Sequence, residues 1–183
     1  MKRMFQLLFF VFFSIFVNAQ KSKVLILDCN LRDVVYDYSV YLNGGSNASQ
    51  IERILKKSDC DLKVIHTSYA WLMNSNNISI TRNFKPDLLI IHTSAFFDPF
   101  NPSDIEVYTR LINFLSKFSQ GYSGKVLVYS RNYFVQNGKQ GLRQFILQKA
   151  PNLAGNLFLI DIKSFIDPES RIFLRNYVYN LLN

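Results

Sequence analysis

Glycine and proline are scarce in this chain: seven and five of 183 residues. No Gly-x-Gly-x-x-Gly run follows a strand-like segment, which excludes the dinucleotide fingerprint. Gly44 and Gly45 precede a helix-like stretch, but they lack the Lys-Ser/Thr of a phosphate loop and are read as a turn. Two cysteines are too few for a disulfide-dense scaffold. Carboxylates are outnumbered, 13 against 21 Lys and Arg, giving a formal net charge of +8. The cations form no dense block, so the clustered stripe that binds nucleic acid is missing and no nucleic-acid partner is expected. A general attraction to anionic envelope polymers or headgroups is what such a charge supports. No apolar run reaches the ~20 residues that span a bilayer. Aromatics, by contrast, are plentiful, with 17 Phe and 10 Tyr.

The N-terminus carries Lys2 and Arg3, then an apolar run from Leu7 to Val17, then Val17-Asn18-Ala19. That order is expected of a secretory signal peptide cleaved after Ala19, leaving a domain of residues 20–183, secreted or periplasmic, with no stable membrane span. Its net charge falls from +8 to +6 when Lys2 and Arg3 leave. Asn47-Ala-Ser and Asn77-Ile-Ser fit the glycosylation sequon, which matters only in a eukaryotic secretory route.

Beyond the leader, short branched apolar runs alternate with amphipathic stretches. Strands are predicted at 23–28, 62–67, 86–93, 125–130 and 157–162. Helices are predicted at 48–57, where Ile51, Ile54 and Leu55 share a face, and at 141–150, stopped by Pro151. Another starts at a capping box, Ser103 and Glu106, with a stripe of Ile105, Tyr108, Leu111, Ile112, Leu115 and Phe118. A last one is capped by Asp167 with Pro168 at its first position. Residues 69–84 are predicted as a short helix followed by a polar, Asn-rich loop. Strand–helix alternation implies a parallel sheet covered on both faces. The expected fold is a single doubly wound α/β domain with five strands in the order 2-1-3-4-5. Cys29 ends the first strand and Cys60 precedes the second, so parallel pairing sets them at opposite ends of the sheet and two thiols are expected.

In such sheets, working groups gather beyond the carboxyl ends of the strands. Those ends carry Asp28, Cys29 and Asn30; His66; His92, Ser94 and, further out, Asp98; and Ser130 with Arg131. The predicted order places Asp28 between His66 and His92, the only two histidines. An Asp–His pair can orient a general base. In that reading His92 is the base, Asp28 its orienting partner, and Cys29 or Ser94 the nucleophile. Asn30, His66, Asp98, Ser130 and Arg131 are then ligand-binding candidates. Two imidazoles and a carboxylate are also a possible metal set, but neither a metal nor a cofactor is part of the reading adopted.

The layout resembles the SGNH (GDSL-type) hydrolases, esterases with a flavodoxin-like sheet. "KVLILDCN" is similar to the family's strand ending in Gly-Asp-Ser, "KPDLLIIHTSAFFD" to its Pro-Asp-Leu-Val-Ile strand leading into Gly-x-Asn-Asp, and "DPESRIFLRNYVYNLL" to its closing His-Pro and helix. The resemblance implies the framework. At the chemical positions Asn30 stands for the serine nucleophile, "SAFF" at 94–97 for the oxyanion-hole motif, and Asp167 for the catalytic histidine. The expected function is therefore an exported SGNH-like binding or accessory module for a small polar or glycan ligand. The alternative is an esterase-type hydrolase with a rearranged His/Asp site.

Overall fold

The computed structural model describes residues 21–29, 55, 60–67, 69–96, 104–130, 139–161 and 168–183. Five strands run through them: β1 Ser22–Cys29, β2 Cys60–Thr67, β3 Leu88–His92, β4 Lys125–Ser130 and β5 Leu157–Asp161. They form one sheet in the order β2-β1-β3-β4-β5, and every neighbouring pair is parallel. This is the doubly wound, flavodoxin-like arrangement expected from the sequence. The helices are α1 Tyr69–Met73, α2 Ser75–Asn83, α3 Asp104–Phe118, α4 Lys139–Lys149 and α5 Pro168–Leu182. Single turns of 3₁₀ helix follow β3, at Thr93–Phe96, and α4, at Pro151–Leu153. Among the described residues no helix is long and apolar enough to cross a membrane.

Both faces of the sheet are covered, which is why the central strands are apolar without alternation. Val24 to Leu27 and Leu88 to Ile91 are fully buried. Leu25, Leu27, Leu89, Ile91, Val126 and Val128 pack toward α1 to α4, through Leu72, Ile78, Phe114 and Ile146 among others. Val24, Ile26, Leu88, Ile90, Leu127 and Tyr129 pack toward α5 and the helical residue Leu55. The buried stripe of α3 is Val107, Leu111, Phe114, Leu115 and Phe118. Tyr108 and Ile112 flank it, half-buried, whereas the expected stripe omitted Val107 and Phe114. On α5, Tyr177 packs against Phe158 with ring centroids 6.4 Å apart, while Tyr179 is exposed.

The Asn-rich stretch after α1 departs from expectation: it is helical, not a loop. Asn74 caps α2 by accepting from the Asn76 amide at 2.9 Å. Asn77 Nδ2 donates to the Trp71 carbonyl at 3.1 Å, and Thr81 Oγ1 to the Asn77 carbonyl at 2.7 Å. Ile78 and Thr81, three residues apart, are the buried pair. Capping and tertiary burial thus outweigh the modest helix propensity of Asn and Ser. The helix is then closed by Lys85 in the left-handed region, φ 51°, a position that usually holds Gly or Asn.

Parallel register also settles the cysteine question. Ser22 pairs with Cys60 and Cys29 with Thr67. The two cysteines are therefore about seven strand residues apart along the sheet, ~23 Å, far beyond the ~7 Å limit for a disulfide. Cys60 forms none. The predicted leader, most of the 48–57 helix, Gly44 and Gly45, and the caps Ser103 and Asp167 lie outside the described residues.

Candidate functional site

The carboxyl ends of β1, β2 and β3 form one rim. In the β1–β2 ladder Asp28 is paired with His66. In the β1–β3 ladder Leu27 is paired with Ile91, so the next step of the same register brings Asp28 level with His92. Adjacent strands are ~4.8 Å apart. The backbone therefore brings Asp28 between the two histidine positions, with one strand spacing to either side. The next ladder pairs His92 with Tyr129, and the last pairs Ser130 with Asp161.

The described side chains at this rim are held tightly. His92 is only 8% exposed, and its imidazole lies against the Tyr129 ring, centroids 4.7 Å apart at 52°. Tyr129 is itself fully buried in the layer beneath α5. The chain then turns at Thr93–Phe96, where Thr93, Ala95 and Phe96 are buried. Phe96 packs on Phe114 of α3, centroids 5.5 Å apart.

A residue that sequence reasoning missed supports this turn. Arg110 of α3 is buried and donates from Nη1 to the Phe96 carbonyl at 3.2 Å. Its Nη2 lies 3.7 Å from Glu106 Oε2 one helical turn earlier. A buried guanidinium demands such partners, and here the demand couples α3 to the backbone just beyond β3. The sequence signal was available: Arg110 follows Val107 by three and precedes Phe114 by four, so it lies on the core stripe.

Of the sequence-derived candidates, His92 is therefore placed in full. Asp28, Cys29, His66, Ser94 and Ser130 are placed by backbone and register, while Asn30, Asp98 and Arg131 lie outside the described residues. Among the described residues no group of three or more His, Cys, Asp or Glu side chains is arranged to hold a metal.

A cavity of 740 Å³ lies at the other end of the sheet, among the amino ends of the strands. Its wall includes Ser22 of β1, the approach to β3 from Arg82 to Asp87, the loop Gly121–Lys125 before β4, and Asn156 before β5. Nothing in the sequence pattern pointed there, because its residues are dispersed over turns that each read as ordinary loop.

No family model matches the chain. No curated protein matches it. Among solved structures, a response regulator receiver domain protein from Clostridium thermocellum is similar at 13% identity, covering 88% of this chain and 99% of that one, with a TM-score of 0.39. At that level the fold assignment stands on strand order and register.

Proposed function

We propose that this chain is an exported, SGNH-like α/β binding or accessory module that takes a small polar or glycan ligand at the rim of β1, β2 and β3. The observation that carries the reading is the register that sets Asp28 opposite His66 and, one step on, level with His92. A carboxylate between two imidazoles offers acceptors and donors for hydroxyl groups, the chemistry a sugar or small polar ligand presents. The near-complete burial of His92 against Tyr129 suits a fixed, orienting group better than an imidazole that must exchange protons with solvent during turnover. The Arg110-braced turn after β3 supplies the rigid support that a preorganised site needs.

The test is a glycan and small-polar-ligand binding screen run beside an ester and glycan-acetate hydrolysis screen. It uses the full chain expressed with its own leader, with Asp28→Asn and His92→Gln variants. The expected result is saturable binding, lost in both variants at unchanged melting temperature, without hydrolysis. Hydrolysis abolished by both substitutions would replace the binding reading with the esterase-type one, His92 acting as base and Cys29 or Ser94 as nucleophile. Binding that both variants retain would remove the rim from the function. Export is tested separately by mass spectrometry of the recovered protein, whose N-terminus is expected at Gln20.

A further inference from the structure

The cavity between the amino ends of the strands is lined by three cations, Arg82, Lys85 and Lys125, the last of which already donates from Nζ to the carbonyl of Leu181 in the same wall, and by one carboxylate, Asp87. The carboxylate is already engaged: its Oδ2 accepts from the Lys23 amide at 2.7 Å. Arg82 donates from Nη2 to the Lys117 carbonyl at 2.9 Å, while its Nε–H is buried with no hydrogen-bond acceptor. A buried guanidinium donor left without an acceptor is costly, and a bound ion is one of the ordinary reasons for finding one. Just outside, the ammonium groups of Lys23 and Lys63 lie 5.7 Å and 5.2 Å from the centre of the Phe84 ring, adding to the positive field.

Lys85 adds a separate argument. It occupies a left-handed backbone position, φ 51°, where a non-glycine residue costs ~1–2 kcal/mol. Glycine would close α2 more cheaply. Lys85 nonetheless stands in the cavity wall, where it adds a positive charge. The opposite wall is equally fixed. Gly121 is left-handed, φ 73°; Tyr122 donates to the Lys125 carbonyl at 3.0 Å; Asn152 and Asn156 hold the Ser119 and Ser123 carbonyls at 2.6 and 3.1 Å.

We propose that this cavity binds a phosphate-bearing small molecule or headgroup. Its volume of 740 Å³ falls within the ~300–1,000 Å³ of small-molecule sites. A guanidinium and two ammoniums match the charge and three terminal oxygens of a phosphomonoester better than the single charge of a carboxylate. The same chemistry comes from two sources, a soluble phosphate ester and a lipid headgroup. Ser22 is in the wall, so the segment that precedes β1 enters the domain at this end.

The test compares the two sources on the full chain. Glycerol phosphate is titrated calorimetrically at low ionic strength, and co-sedimentation is measured with phosphatidylcholine vesicles with and without phosphatidic acid. The expected result is saturable binding in at least one arm, weakened by added salt, and reduced about ten-fold or more by Arg82→Gln and by Lys85→Gly. Arg175→Gln, an exposed cation of α5 outside the cavity, leaves binding unchanged. Lys85→Gly relieves the left-handed backbone, so its melting temperature is expected at or above that of the parent and loss of binding cannot be unfolding. Binding to glycerol phosphate identifies a soluble ligand; binding confined to phosphatidic acid vesicles identifies a headgroup. No binding in either arm, or binding that both cavity variants retain, overturns the proposal.

Discussion

Replacing Gly124 by alanine tests whether the loop before β4 is as closely fitted as it looks. An ideal Cβ at this position would lie 2.4 Å from Tyr122 Oη, 2.7 Å from Tyr122 Cζ and 2.6 Å from the Pro86 carbonyl oxygen. Ordinary carbon–oxygen contacts are ~3.3 Å or longer, so the methyl must displace both neighbours by the better part of an ångström. Neither yields easily. The Tyr122 ring packs on Phe118, centroids 4.6 Å apart, and its hydroxyl donates to the Lys125 carbonyl at 3.0 Å. The Pro86 carbonyl belongs to the backbone that leads from α2 into β3. Overpacking costs ~1–3 kcal/mol and loss of the tyrosine hydrogen bond ~1 kcal/mol. The lower unfolded-state entropy of alanine returns ~0.4–1 kcal/mol. The net expectation is a loss of ~2–3 kcal/mol, or ~5–10 °C in melting temperature for a domain of this size. Thermal unfolding followed by circular dichroism measures it. Tyr122→Phe supplies the control: alone it costs ~1 kcal/mol, but combined with Gly124→Ala it removes the nearest contact. The double variant should then lose less than the sum of the singles, by more than the ~0.3–0.5 kcal/mol of ordinary additivity error. A Gly124→Ala protein that melts at or above the parent temperature would refute the fitted-loop reasoning.

Three further expectations concern other parts of the fold. Burial, reinforced by the nearby Asp87 carboxylate, raises the Tyr122 phenol above its ordinary value of 10.0. The stability this contributes is intact below pH 10 and is lost as pH rises above it. Alkaline unfolding curves of the parent should fall over that range, and those of Tyr122→Phe should fall less; identical slopes would remove Tyr122 from the account. At the outer strand β5, Asn156 accepts from the Val126 amide, so the next carbonyl, Leu157, faces away from β4. Arg143 covers it, together with the Ala154 carbonyl, which it reaches at 2.9 Å. Arg143→Ala uncovers this edge and is expected to raise concentration-dependent self-association in light scattering. An unchanged scattering profile would show that the edge needs no cover. Thiol labelling of the unreduced, denatured protein is expected to modify both cysteines, because the sheet register separates them; labelling of neither would require a different pairing of β1 and β2.

The sheet was legible because its information is local. Four continuous apolar runs and a fifth shorter one, each bounded by turn residues, have few parallel arrangements open to them once crossovers are right-handed. The cover over the sheet was legible only in part, for the same reason inverted. Residues 69–84 contain four asparagines, and their helical state depends on Asn74 capping, on the Asn77–Trp71 and Thr81–Asn77 bonds, and on burial of Ile78 and Thr81. These are contacts that propensity does not contain. Arg110 taught the opposite lesson: its charge hid a core position that helical spacing alone would have assigned.

The two candidate sites differ in the same way. The rim of β1, β2 and β3 could be anticipated because polar residues ending apolar runs mark carboxyl ends, and the strand order then says which ends are neighbours. The amino-end cavity has no such signature. Its cations come from the end of α2, the second residue beyond it and the start of β4, 43 positions apart at the extremes, and only the parallel sheet brings those starts together. Every parallel strand that delivers a residue to the rim must also have a beginning at the other end. A doubly wound sheet therefore gathers a second set of loops as closely as the first. Ligand sites are usually sought at the first set. Here the buried Arg82 donor and the left-handed Lys85 lie among the second, which is why the amino end of this sheet is tested beside its rim.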